Sequence, residues 1–266
     1  MICKKIFITG AGSGLGKNAA IELARRGHIV YASTHYSNEI PDLERIAKKE
    51  NLKLYSFRFD ILDEAIRNSI LKYDIDVLIC NAAIGDSGSV AEVFVDRIET
   101  VFNTNIFCNL RLVQLVLQNM IKNKKEGRII FLGSMAGRIP IPFLSPYCAS
   151  KFALEAFATC LRKEIKKLHD IHIQVGIIEP GAYATGFNKE NNEKKWTWMK
   201  KNSYFLNQLE PLKIKEELTW NFLEVKPYHS ILKKYIHAVE DKKMKHRYCA
   251  PWYQAFFVQL GRILGM

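Results

Sequence analysis

No stretch of this 266-residue chain approaches the roughly eighteen consecutive apolar residues that a membrane-crossing helix needs. A helical span is thereby excluded. The first apolar run, residues 6–8, is brief and meets glycines at once, so it reads as an opening strand rather than a secretory leader. A cytoplasmic protein is the expectation. Six cysteines (Cys3, Cys80, Cys108, Cys148, Cys160 and Cys249) form no C-x-x-C pair and no metal-like spacing. They read as small buried or half-buried residues of a reducing compartment, and no metal is expected. Internal repeats and low-complexity tracts are missing as well, which removes solenoids and disordered arrays.

Acidic balance is also lacking: the formal net charge is +12. Between residues 186 and 247 there are 14 Lys/Arg against 8 Asp/Glu, so half of the excess lies late in the chain. Those charges alternate with acids and carry no DNA- or RNA-binding motif. The pattern implies a solvated basic face that draws in small anions, and no nucleic-acid partner.

What is present is ordinary globular composition, 48% hydrophobic and 25% charged, in a length that suits one large domain. Short apolar runs at residues 5–9, 29–33, 52–60, 75–80, 128–133 and 172–179 read as strands. Helical patterns intervene at 14–26, 41–50, 62–72, 95–122 and 146–168, the last opening with a proline. After residue 186 the rhythm breaks. A helical pattern returns at 227–239, and residues 247–250 read as a last edge strand. Regular alternation of strand and helix predicts a single α/β domain, residues 1–266, built as a Rossmann-type doubly wound parallel sheet of about seven strands with helices on both faces. Residues 186–225 read as a substrate-covering insertion within it.

The first strand ends in T-G-A-G-S-G-L-G, placing Gly10, Gly12, Ser13, Gly14, Leu15 and Gly16 between a strand and a helix. Glycines there let backbone N–H groups approach a pyrophosphate, and the helix N-terminus adds partial positive charge. The commoner G-x-G-x-x-G spacing would require glycine where Leu15 stands. Far downstream, Tyr147 and Lys151 lie four residues apart in P-Y-C-A-S-K, and Ser134 lies thirteen residues before the tyrosine in L-G-S-M-A-G. A phosphate cradle and a hydroxyl–phenol–ammonium set together point to redox chemistry on a nucleotide.

T-G-x-x-x-G-x-G, N-A-A-I-G at residues 81–85, Ser134 and Y-x-x-x-K in this order closely resemble the classical short-chain dehydrogenases/reductases, from residue 5 to about residue 185. Ala83 departs from the glycine usual in the N-A-A turn. The resemblance implies an NAD(P)-dependent oxidoreductase that interconverts a carbonyl and a secondary alcohol. It assigns Asp60, followed by Ile61, to the adenine, and Asn81 and Ala82 to the cofactor's flank. Asn105 takes the fourth active-site position, holding a water that links Lys151 to solvent. Pro180, Gly181 and Thr185, in P-G-A-Y-A-T, fall beside the nicotinamide. It further implies a homodimer or homotetramer packed through residues 95–122 and 146–168.

For the choice of nucleotide, the acid of NAD-preferring relatives would fall at Thr34, which is neutral, and His35 stands where NADP-preferring relatives often have arginine. Absence of the acid favours NADP, with NAD as the alternative. In the reaction, Tyr147 is expected to be general acid in reduction and base in oxidation, with the Lys151 ammonium one turn away lowering its pKa. Ser134 would hydrogen-bond the substrate oxygen. Trp196, Trp198, Met199, Tyr204 and Phe205, with Trp252, Tyr253, Phe256 and Phe257, suit either an apolar lid for a lipid-, steroid- or polyketide-like substrate or ordinary packing. A catalytically idle nucleotide sensor or scaffold on the same fold is the competing reading.

Overall fold

Alternate residues of the first strand, β1 (Lys5–Ile8), enter opposite cores: Ile6 and Ile8 on one face, Phe7 on the other. That period of two, with no polar side in the middle of the strand, is the signature of a sheet covered on both faces. In the computed structural model, which describes residues 2–265, β1 is followed by α1 (Gly14–Arg25), β2 (Ile29–Thr34), α2 (Ile40–Lys49) and β3 (Leu54–Arg58). Next come α3 (Glu64–Asn68), β4 (Val77–Cys80), α4 (Val95–Phe102), α5 (Asn109–Lys122) and β5 (Gly127–Leu132). The second half contains α6 (Ser145–Ile165), β6 (Ile173–Pro180), α7 (Phe187–Met199), α8 (Leu209–Leu223), α9 (His229–Glu240), β7 (Arg247–Ala250) and α10 (Trp252–Ile263).

The seven strands form one sheet in the order β3-β2-β1-β4-β5-β6-β7, and every pairing is parallel. Chain order reverses between β1 and β4, where Ile8 pairs with both Ala32 and Ile79. Connections leaving β1 and β4 diverge there and open a crevice at the carboxyl ends of the strands, the usual ligand position in such sheets. One core packs α1, α2 and α9 through Leu23, Leu43 and Tyr235; the other packs α5 and α6 through Leu112 and Leu154.

Three regions differ from the sequence expectation. The continuous helix expected over 95–122 is interrupted: residues 103–108 form a wider π-helical turn between α4 and α5. Expected helix 62–72 shrinks to α3 and a 3₁₀ turn at Ser69–Lys72. The irregular stretch after residue 186 is instead largely helical, as α7 and α8. Its charges hid the pattern, because Lys195, a polar residue, is buried and pairs with Glu216 at 2.6 Å. Among the described residues, no helix is long and apolar enough to cross a membrane.

Candidate active site

The glycine turn is held from three sides. Ala11 donates to the Ser33 carbonyl at 2.6 Å, joining the turn to the end of β2. Asn81 donates through Nδ2 to the carbonyls of Thr9 (3.0 Å) and Gly10 (2.8 Å), while its Oδ1 accepts from the buried Tyr235 hydroxyl at 2.9 Å. Its side chain is therefore engaged in shaping the turn. Gly10 and Gly14 adopt φ of 62° and 54°, and a Cβ at Gly10 would lie 2.8 Å from the Ala82 Cα. Both the left-handed backbone and the close approach require glycine.

Helix α1 begins with Ser13 as N-cap, without a capping side-chain hydrogen bond and without an acid in its first turn. Its first N–H groups and partial positive charge are left for an anion. Thr185 closes the turn from the other side, its Cβ 3.5 Å from where a side chain on Gly14 would start. Leu15 packs half-buried against the core, and Gly16 lies buried against Asn81. These residues fit the pyrophosphate of a dinucleotide.

Around the end of β2 the sequence assignments hold less well. Thr34 is buried, its hydroxyl donating to the Tyr36 carbonyl at 3.0 Å, so it does not line the crevice. His35 is exposed and leans towards Asp60, with Nδ1 3.7 Å from Oδ1. Asp60 lies beyond the end of β3 rather than closing it, and accepts from the Leu62 amide at 2.9 Å; Ile61 is buried. Sequence reasoning passed over Glu39. It ends a 3₁₀ turn, Ser37–Glu39, and its carboxylate lies across Gly12 in the space where a side chain there would begin. The available signal was an acid about twenty residues past the last glycine of the turn, displaced from the end of β2.

At the end of β5, Ser134 caps a 3₁₀ turn at Met135–Gly137 and its Oγ accepts from the Ala136 amide at 3.1 Å. The turn brings Gly137 against the backbone of Lys151 on α6, so the strand end and the helix meet with no space between them. Ser134 lies close enough to the Tyr147 hydroxyl to favour its ionisation. Lys151 is buried, donates from Nζ to the Leu132 carbonyl at 2.8 Å, and lies 5.6 Å from the centre of the Tyr147 ring.

Burial pushes the Tyr147 phenol up to about 12, against a smaller lowering by Ser134. Burial also lowers the Lys151 ammonium to about 7. This opposes the expected tuning: burial holds both groups towards their neutral forms, and desolvation outweighs the lowering of the phenol that a charged ammonium would give. The cause is desolvation acting on each charge before the two can help one another.

Asn105 lies in the π turn and is almost fully buried. Its Oδ1 accepts from the Ile84 amide (2.9 Å), and Nδ2 donates to the Ile84 carbonyl (2.8 Å) and to Ser150 Oγ (2.9 Å). Ser150 in turn donates to the Tyr147 carbonyl at 2.8 Å. Asn105 thus joins the loop after β4 to the helix that bears Tyr147 and Lys151. Its side chain is taken up by these bonds, so any water it holds must use its backbone. Phe187, the first residue of α7, packs on the Tyr147 ring with centroids 5.5 Å apart; Pro180 ends β6, and Gly181 after it faces Gln254 of α10. Neither Phe187 nor Ser150 stood out in the sequence, since an aromatic and a serine carry no spacing signal alone. Cys148 points into a small apolar cluster with Ala136 and Leu144.

The glycine turn follows β1 and the Ser134–Tyr147–Lys151 corner follows β5, so both lie at the carboxyl ends of strands in one parallel sheet. The sequence profile of the short chain dehydrogenase family matches residues 4–196. A probable short-chain type dehydrogenase/reductase, VdlC of Helicobacter pylori, is 36% identical over 192 residues, 71% of this chain and 69% of that one. The 3-ketodihydrosphingosine reductase of Bacteroides thetaiotaomicron is 33% identical over 213 residues, 80% and 76% of the two chains. Among solved structures, a short chain dehydrogenase/reductase of Burkholderia phymatum in complex with NAD superposes with a TM-score of 0.82 over 98% of this chain and 93% of its own, at 17% identity. Motif order, crevice geometry and these likenesses agree, and the chain belongs to the short-chain dehydrogenase/reductase family of oxidoreductases.

Proposed function

We propose that this protein reduces a ketone to a secondary alcohol, and runs the reverse reaction, with a nicotinamide dinucleotide held on the glycine turn. The packing of Tyr147, Ser134 and Lys151 together, at the same carboxyl edge of the sheet as that turn, carries the reading. A bound reduced nicotinamide supplies the hydride. Ser134 donates a hydrogen bond to the carbonyl oxygen and holds it against Tyr147. Tyr147, kept protonated by its raised pKa, delivers the proton as charge develops on that oxygen. Lys151 sits one helical turn away, and its remaining positive charge stabilises the phenolate left behind. In the direction of alcohol oxidation the phenol must first lose its proton, so raised alkalinity favours that direction.

An apolar, long-chain ketone is the substrate class we favour. Support comes from Phe187 over the Tyr147 ring, from the buried apolar seam of Trp196 and Met199 of α7 with Leu209 of α8, and from likeness to a reductase named for 3-ketodihydrosphingosine. On this reading residues 186–225 cover the substrate. A screen of ketones of graded chain length with NADH and NADPH tests it. Turnover that rises with chain length is expected. Nucleotide binding without turnover of any ketone or secondary alcohol would instead favour an idle nucleotide sensor.

A further inference from the structure

Resting on the dinucleotide reading above, we propose that Glu39 is the residue that selects the nucleotide, and that it selects NAD over NADP. The neutral end of β2 leaves the expectation of NADP standing only if no other acid reaches the adenosine side of the crevice. Glu39 does reach it. Its carboxylate occupies the space directly over Gly12, on the turn that would carry the pyrophosphate and the adjoining ribose. The position is built, since Glu39 Oε2 accepts from the Tyr36 amide at 3.3 Å and the 3₁₀ turn runs directly into α2, with Pro41 in its first turn.

A carboxylate accepts hydrogen bonds from both hydroxyls of a ribose diol. A 2′-phosphate in the same place offers no donor and adds close to two negative charges. The neighbouring cations do little to offset that repulsion. Lys17 and Arg45 both pair with Asp42, and His35 leans on Asp60. Ser13 contributes only a hydroxyl at the N-cap. Arg58 is the exception: it is exposed, lies in register with Thr34, and makes no ion pair among the described residues. It is the residue on which NADP binding would have to rely.

Equilibrium titration of the full chain with NADH and with NADPH, followed by quenching of tryptophan fluorescence, tests the assignment without turnover. Wild type should bind NADH at least tenfold more tightly. Glu39→Gln keeps the size and removes the charge, and should narrow the ratio at least fivefold, mainly by tightening NADPH; its melting temperature without nucleotide should match wild type. Tighter binding of NADPH by wild type overturns the proposal, and Arg58→Ala weakening NADPH alone would then place selection on that arginine. A ratio unchanged within twofold in Glu39→Gln overturns it as well. In both cases nucleotide binding itself persists, so the active-site reading survives. Binding of neither nucleotide overturns both.

Discussion

Replacing Lys151 by methionine should make the nucleotide-free protein more stable while abolishing its chemistry. In an open chain the lysine titrates near 10.5, whereas in the fold burial brings it to about 7. At about 1.4 kcal/mol per tenfold change in proton affinity, keeping this group in the folded state at pH 7 costs roughly 4 kcal/mol. Methionine has similar length and carries no such cost. It does strip the Leu132 carbonyl of its 2.8 Å donor, and a buried acceptor left unpaired costs about 1–3 kcal/mol. The net gain is about 2 kcal/mol, or roughly 5 °C in melting temperature for a domain of this size.

The same arithmetic fixes the pH dependence. A lysine with a depressed folded pKa destabilises the fold fully below about 7, and the penalty disappears as pH rises towards 10.5. Wild-type stability should therefore climb across that window relative to Lys151→Met, and the two curves should cross at roughly pH 9, where the penalty falls to the value of the lost hydrogen bond. Thermal melts of both proteins from pH 6 to 10, in nucleotide-free buffer, measure this. A methionine variant less stable than wild type at pH 7, or a difference that does not change with pH, would refute the reasoning.

Tyr147→Phe should cut kcat by about 10²–10⁴-fold with nucleotide affinity within twofold of wild type, since only the proton donor is lost; single-turnover kinetics and fluorescence titration check the two halves. Asn105→Ala removes three buried hydrogen bonds and should destabilise the fold by about 2–4 kcal/mol in urea denaturation, with a larger loss of kcat because the link from Ile84 to Ser150 and α6 is broken. Tyr235→Phe deprives Asn81 of its donor and should cost about 1–2 kcal/mol by the same assay, together with weaker binding of both NADH and NADPH as the glycine turn loosens. Phe187→Ala should raise KM for a long-chain ketone by about tenfold and leave a short ketone nearly unaffected, as steady-state kinetics on the two substrates would show.

The sequence was most legible where one residue type alone can satisfy the backbone or the chemistry. Gly10 and Gly14 are such positions, because positive φ and the approach of Ala82 leave no alternative. Strands buried on both faces announce themselves equally well, as in the I-I-F-L run of β5, since a parallel sheet tolerates no polar side there. Legibility failed where polar groups are buried in pairs. Lys195 reads as a solvated lysine and is instead a buried partner of Glu216, so α7 and α8 were taken for irregular chain. The π turn at residues 103–108 was equally hidden, because its hydrophobic pattern matches an ordinary helix and only the Asn105 bonds to Ile84 show why the register widens.

The electrostatics of the active corner were hidden for a related reason. Spacing of four residues puts Tyr147 and Lys151 on one helix face, and in water that would favour the ion pair of phenolate and ammonium. Burial inverts the balance, because desolvation of each charge is the largest influence on its proton affinity. The pair is therefore set as a protonated acid beside a half-charged lysine near neutral pH. That state suits ketone reduction, where the first demand is for a proton donor, and it makes oxidation of the alcohol the direction that gains with alkalinity. Initial rates in both directions, measured between pH 6 and 10 at saturating nucleotide, should then diverge, with oxidation rising as pH increases and reduction, whose donor stays protonated below about 12, changing little. Parallel profiles for the two directions would mean that the bound nucleotide and substrate, rather than burial in this corner, set the proton affinity of Tyr147.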